Sequence, residues 1–521
     1  MTDRIRLNEG NRRWWTLAAM CFALFMIMLD NTVVNVALPS IQDDLGVSLS
    51  GLEWTVNIYT LTFAVLLVTG GRLGDILGRR KMFLFGVVVF AVSSAAIGFS
   101  PGEGWLIAGR ALQGAGAAFM MPATLSIITV TFPPEERGKA IGTWAGVSAL
   151  ALAIGPVVGG ALAEYVSWRA IFFLNLPVAV GAVVVTLFAT HESRDETKQH
   201  TIDWPGIVAL SVGLSALVLA LVEGNAWGWG STRIVALLAA AVGGVVAFAL
   251  IEPRVREPMV ELSLFRSRTF LGANFVAFVV SFAMFAMFFF TALYMQNILG
   301  YSAVQAGVRF LPSTLMIVLI APLAGRLADR VGPRPLMVTG LTLTAFALFL
   351  QTRITVDTGY VLLLPAFVVM GIGMALVMSP MSTAAMNSVA PEKAGVGSGI
   401  LSMSRMVGST FGVAAIGALF QHLARNELAD KLAGTGVTAG QREQLVHSLG
   451  AGSQGGESLP PAVVSASHDA FVHAFANGMW LSASVAAVGA VVAFWLIAPK
   501  TAKQPDPARL PEAAAEAISA S

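Results

Sequence analysis

The chain has 521 residues, 56% of them hydrophobic and only 12% charged, with a formal net charge of +2 and a mean hydropathy of +0.75. These values exclude an ordinary soluble domain and a charged disordered chain, and they place most of the polypeptide in lipid. The single cysteine, Cys21, excludes an intrachain disulfide and any cysteine-built zinc or iron–sulfur centre.

Apolar runs of about 17 to 25 residues are needed to cross a hydrocarbon layer as helices. Fourteen occur, at 14–37, 53–71, 82–100, 105–130, 139–163, 168–190, 205–223, 233–251, 269–294, 304–325, 335–353, 359–380, 395–421 and 472–498. The chain is therefore predicted to be an all-α integral membrane protein. An even number of spans puts both termini on one side. The loops and tails of that side carry 23 of the 32 Lys and Arg, so the positive-inside rule assigns both termini to the cytoplasm. The first run is too long for a signal-peptide core and is read as a retained span. The long outer loop at about 422–471 forms either a partly ordered cap or an irregular connector. The tail at 499–521, rich in Ala, Pro and Glu, is expected to be disordered.

The spans repeat. Gly71-Arg72-Leu73-Gly74-Asp75 returns 254 residues later as Gly325-Arg326-Leu327-Ala328-Asp329, and Gly138 and Gly142 return 257 residues later as Gly395 and Gly399. Spans one to six thus correspond to spans nine to fourteen, with spans seven and eight inserted between them. The expected organisation is an N-terminal six-helix bundle (1–190), two inserted helices with linkers (191–268), a C-terminal six-helix bundle (269–498) and the tail.

Five motifs give the sequence a specific likeness. They are Leu29-Asp30-Asn31-Thr32-Val33-Val34-Asn35-Val36-Ala37-Leu38-Pro39 in span one, Gly71 to Arg80 after span two, and Arg110-Ala111-Leu112-Gln113-Gly114-Ala115-Gly116 in span four. The others are Gly155-Pro156-Val157-Val158-Gly159-Gly160 in span five and Trp168 to Pro177 at the entry to span six. With them the chain resembles the major facilitator superfamily, and within it the fourteen-span drug:proton antiporters of the multidrug-efflux type. Two departures stand out: Ile76 where a basic residue is usual, and Ala151 in place of the leading glycine of the span-five motif. The resemblance implies antibiotic resistance by transport rather than an enzyme. It also implies no cofactor, a proton gradient as driving force, and small hydrophobic substrates, often cationic.

Asp30 lies deep in span one, where a carboxylate costs about 2.5 to 3.5 kcal/mol unless it is protonated or paired. Its repeat counterpart is Met284, so the fold does not itself demand an acid there. Arg110, whose counterpart is Phe367, is the natural partner. The plain reading is an acid that serves a helix–helix hydrogen-bond network. The functional reading, favoured by the resemblance, is a proton-coupling pair of Asp30 and Arg110.

For gating, Gly155, Pro156, Gly159 and Gly160 weaken one helix and permit a bend against a close neighbour; the resemblance marks this motif as that of exporters. Gly71 and Gly78 suit close packing and a sharp turn, Asp75 suits a helix N-terminus, and Arg79 and Arg80 suit acids or lipid headgroups. Gly325, Asp329, Gly332 and Arg334 repeat the set. By resemblance these loops latch the cytoplasmic side.

For the substrate, Asn274, Ser281, Phe285, Phe288 and Met295 recur on one stripe of span nine and offer adaptable contact, although lipid-facing packing explains each singly. Asn31, Asn35, Asn57, Tyr59 and Gln113 add polar candidates. Glu53, Glu164 and Glu223 sit near outer ends where solvation is cheap, and Arg405 lies near enough to a span end to snorkel. No GxxxxGK[ST] loop and no HExxH spacing is present, so neither an ATP motor nor a metallo-enzyme is indicated. The expected partners are a hydrophobic small molecule, protons and lipids, without nucleic acid, in a monomer of a bacterial inner membrane. The alternatives are a dedicated exporter of one metabolite, lipid or self-made antibiotic, and a non-transporting sensor or channel.

Overall fold

The computed structural model describes residues 9–47, 49–194, 203–255, 258, 260, 262–432, 438, 440–442, 445–446 and 460–499. The tail expected to be disordered therefore lies almost entirely outside the described residues. The N-terminal half holds α1 (Glu9–Leu45), α2 (Leu49–Leu77), α3 (Arg79–Gly98), α4 (Glu103–Thr131), α5 (Pro134–Tyr165), α6 (Trp168–Phe173) and α7 (Asn175–Ala189). The inserted pair is α8 (Trp204–Trp227) and α9 (Thr232–Ile251). The C-terminal half holds α10 (Arg268–Asn297), α11 (Ala303–Arg309), α12 (Leu311–Val331), α13 (Pro333–Gln351), α14 (Tyr360–Asn387), α15 (Ala394–Lys431) and α16 (Pro461–Leu496).

Thirteen segments among the described residues are long and apolar enough to cross a membrane, and α5, 32 residues long, runs beside α1 and α12. Two spans are divided: the sixth into α6 and α7, the tenth into α11 and α12. Prolines explain both breaks. Pro177 cannot donate to the carbonyl of Phe173, and Pro312 restarts a helix at its first turn.

The repeat is legible in the packing. α1 lies on α5 as α10 lies on α15, α4 fills the space between α2 and α3 as α14 does between α12 and α13, and α3 meets α7 as α13 meets α16. Two seams join the halves, α2 against α15 and α5 against α12. α8 lies along the first seam, touching both α2 and α15, while α9 packs on α8 and leaves Val235, Val242, Val246 and Leu250 exposed.

The boundaries of the outer loop need correction. α15 and α16 continue past 421 and 472, and they are clasped there by Lys431 to Asp469 at 2.7 Å and His473 to Glu427 at 3.2 Å. The loop is thus helical at both margins. At the same end of the molecule Asp44 accepts from Trp168 Nε1 at 3.0 Å and pairs with Arg169, whose guanidinium lies 4.4 Å from the Trp168 ring centre. Arg169 first, and Trp168 second, hold the Asp44 carboxyl below the usual carboxylate range. A depressed folded value adds stability above the ordinary carboxylate pKa and loses it as pH falls through the folded value. Melting of the purified protein should therefore show a small acid-side drop that Asp44→Asn flattens. An unchanged acid limb in the variant would show that the pair is screened out by solvent.

Candidate functional site

Asp30 of α1 and Arg110 of α4 meet inside the N-terminal half, 2% and 1% exposed. Arg110 Nη1 lies 2.5 Å from Asp30 Oδ2 and donates to Gln113 Oε1 at 2.7 Å, while its Nε donates to the Thr55 carbonyl at 3.1 Å. Gln113 Nε2 donates to Asp30 Oδ1 at 3.0 Å. The Tyr59 ring lies 4.2 Å from the guanidinium carbon, a cation–π contact that adds to the ion pair. The spacing of Arg110 and Gln113, one turn apart on α4, allows both to grip one carboxylate.

Two members of this network escaped sequence reasoning. Ser94 of α3 accepts from Gln113 at 3.2 Å and from Asn175 at 2.9 Å, and Asn175 Nδ2 also reaches Asp30 Oδ1 at 3.5 Å. Asn175 stood inside the span-six motif at the break made by Pro177, which was a usable signal; Ser94 offered none. The network therefore ties α1, α2, α3, α4 and α7 together. Each charge has hydrogen-bonded company, as a buried ion pair requires.

A second buried pair sits at the end of the molecule that carries most of the basic residues. Asp75 accepts from the backbone N–H groups of Gly395 and Val396, both at 2.9 Å, at the N-terminus of α15 in the opposite half. Arg79 donates to Asp75 at 2.7 and 2.9 Å and to the carbonyls of Pro391 and Glu392 at 2.6 and 3.0 Å. Gly78 and Gly332 adopt φ of 114° and 90°, the left-handed region that favours glycine at these turns. A Cβ on Gly71 would strike the Gly395 carbonyl, and one on Gly325 would strike the Gly138 carbonyl. A Cβ on Gly138 would lie 2.6 Å from Asp329 Oδ1, so Asp329 repeats the placement of Asp75 beside the start of the facing helix. Arg80 instead turns to the Leu187 carbonyl at 2.9 Å, and Arg334 stacks on Phe494 at 4.1 Å. The two halves are in close contact at the basic end through both seams.

A family model described as Major Facilitator Superfamily matches residues 20–413. The chain belongs to the major facilitator superfamily. It is 37% identical over 487 residues to the tetracenomycin C resistance and export protein of Streptomyces glaucescens, covering 92% of this chain and 90% of that one. It is 36% identical over 405 residues to the multidrug resistance protein Stp of Mycobacterium tuberculosis, covering 78% of this chain and 75% of that one. Among solved structures it resembles the proton:xylose symporter XylE, with a TM-score of 0.63 at 13% identity over 94% of this chain and 97% of that one, which supports the fold alone. The protein is thus a multi-pass, non-enzymatic transporter with bacterial relatives, of the drug-resistance and export kind within its superfamily.

The remaining predicted residues of this transporter fall into separate places. Gly155 and Gly159 press on Thr32 and Val33 of α1, with a Cβ on Gly159 meeting the Val33 carbonyl at 2.9 Å, so the span-five motif abuts the turn that carries Asp30. Gly160 is half-buried on the same helix. The side chains of Asn35 and Pro156 lie outside the described residues. Tyr59 and Gln113 belong to the charge network. Asn31, half-buried, donates to the Ile27 carbonyl at 2.9 Å, and Asn57 is half-buried on α2. Asn274 is engaged by Ser404 at 3.0 Å across α10 and α15, while Ser281 and Met295 are buried. Phe288 packs on Phe310 at 4.8 Å. Phe285, 38% exposed, shares a face with Leu271 and Phe289, which are also exposed. Leu271 lies at the basic-end start of α10, so this exposed face runs along much of the helix. Among the described residues no group of His, Cys, Asp and Glu is arranged to hold a metal.

Proposed function

We propose that this protein is a proton-coupled antiporter that exports hydrophobic drugs or antimicrobials across a bacterial cytoplasmic membrane by alternating access, with its basic end in the cytoplasm. The observation that carries the reading is the Asp30–Arg110 pair, buried in one half of a duplicated fold whose other half has Met284 and Phe367 in those positions. A carboxylate held beside a guanidinium favours its ionised form, whereas burial favours the neutral one, so movement of the surrounding helices shifts the balance. When Asp30 takes a proton, Arg110 keeps Gln113, the Thr55 carbonyl and the Tyr59 ring as neutral partners. In this reading the proton weakens the grip of α4 on α1, and the Gly155/Gly159 contact passes the change to α5. α5 lies on the α12 seam. The inward orientation of the basic end rests on the distribution of Lys and Arg.

The test is reconstitution in proteoliposomes with an imposed pH gradient, a lumenal pH dye and a set of lipophilic dyes of either charge. Uphill dye movement with opposite proton movement is the expected result. Folded protein that moves no dye and no protons would leave a dedicated exporter of one compound, or a sensor or channel. A narrower reading, a dedicated exporter of one antibiotic, is favoured by the likeness to the Streptomyces glaucescens protein, a resistance and export protein for one compound. Growth protection against unrelated drugs would count against it.

A further inference from the structure

Arg405 lies eleven residues into α15, about 16 Å from the helix start at 1.5 Å per residue. It shares a helical face with Ser398, seven residues earlier, whose hydroxyl donates to the Pro122 carbonyl of α4 at 2.7 Å. That face therefore looks at the N-terminal half. Arg405 does not snorkel to the basic end; its guanidinium reaches across the interface to the Trp144 ring of α5, 5.6 Å from the ring centre. Trp144 is itself fixed, buried and donating to Thr124 at 3.1 Å. The neighbouring Ser404 is bonded to Asn274 of α10, so the backbone at this point is anchored to its own half.

Arg405 stands apart from Arg110 and Arg79 in one respect. Arg110 holds Asp30 and Arg79 holds Asp75, but among the described residues Arg405 has no hydrogen-bond or ion-pair partner. It is half-buried. Toward the basic end the halves are in close contact at Ser398, Gly71–Gly395 and Gly138–Gly325, and Arg405 lies on the face of α15 that is turned to the N-terminal half. The repeat position is Ser148, so the packing of the fold does not call for a cation here. A permanent cation in the membrane interior is costly, and one aromatic face repays that cost only in part. An anionic group arriving from the cavity repays the rest, and the planar guanidinium can bind it through two parallel N–H groups while still resting on Trp144.

We propose that Arg405 is a charge-selecting residue of the transport cavity, and that this exporter takes hydrophobic organic acids, anionic at neutral pH, in preference to lipophilic cations. The proposal rests on the drug-export reading and reverses the charge expected from the resemblance. A cation entering beside Trp144 would meet like charge with no carboxylate to offset it.

The test compares 1-pyrenebutyrate with its uncharged amide, binding of each being followed by energy transfer from tryptophan to pyrene in the purified full-length protein. Wild type should bind the acid about tenfold more tightly than the amide, the worth of roughly one charge-assisted hydrogen bond. Arg405→Gln should bring the two affinities together while leaving the amide within about twofold of wild type, which also reports that the variant is folded. Arg405→Lys should retain part of the preference. Equal affinities in wild type, or a preference that survives Arg405→Gln, would overturn the proposal. If wild type moves ethidium up a pH-gradient-driven slope yet shows no preference for the acid, drug export stands and the anion preference falls. Absence of uphill flux of ethidium and of 1-pyrenebutyrate alike would remove the broad drug-export reading itself.

Discussion

Asparagine at position 30 should give a folded protein that no longer exchanges protons for substrate. The side chain keeps its size but loses its charge, so Arg110 is left with only neutral partners in a site 2% exposed or less. Removing one member of a buried ion pair typically costs about 3 to 5 kcal/mol, because the surviving charge stays desolvated. Here Gln113, Thr55 and Tyr59 already surround Arg110, which softens the loss relative to a site with one partner. A double-mutant cycle separates stability from coupling. Asp30→Asn and Arg110→Gln should each lower the melting temperature in detergent, and the combined variant should recover most of the loss because no uncompensated charge remains. Proton-coupled flux should be absent from all three. A pair that serves structure alone predicts the opposite for the double variant, namely recovery of flux together with stability. Uphill transport retained in Asp30→Asn would end the proton-coupling assignment outright.

Valine in place of Gly325 should abolish net transport by a different route. Its Cβ would overlap the Gly138 carbonyl and lie 2.8 Å from Ser379 Oγ, on backbone that cannot rotate away as a side chain can. Overpacking of this kind costs about 1 to 3 kcal/mol, and it is charged only to the conformation in which the basic ends meet. A shift of that size moves a two-state equilibrium by roughly five- to a hundred-and-fiftyfold. The protein should then remain open at the basic end, still binding substrate but not carrying it. A cysteine introduced at Ser379, whose hydroxyl contacts the Gly138 carbonyl at 3.2 Å, should become reactive to a polar maleimide in the valine variant; native Cys21 is buried. Gly243→Ala provides the control, since nothing lies within 4 Å of a Cβ there. Unaltered transport by the valine variant would mean that the close contact at Gly138 and Gly325 is not passed through during the cycle.

The readable and the unreadable parts of this site divide along physical lines. Asp30 and Arg110 stood out because an ionised group inside an apolar run is costly, and Gln113 followed from helical spacing. Asp75 was recognisable as a helix-terminus partner, but the identity of that helix was not, because the contact joins residues 320 positions apart across the two halves. The glycine spacing repeated in both halves said that backbones come close; only the fold shows that Gly71 meets Gly395 and Gly138 meets Gly325. Phe285 illustrates the remaining difficulty. A stripe of aromatic and methionine residues has the same period whether it faces lipid or a ligand, since both are apolar, so periodicity cannot say which. Arg405 was ambiguous for a related reason. Its long side chain reaches either the interface or the interior, and the choice was made by Trp144 on another helix.

The inserted pair makes the two seams between the halves unequal. Among the described residues α8 packs on both α2 and α15, whereas neither inserted helix packs extensively on α5 or α12, although the underlying bundles repeat one another. The near-symmetry of the two repeats is thus broken at their seams by two helices that belong to neither repeat.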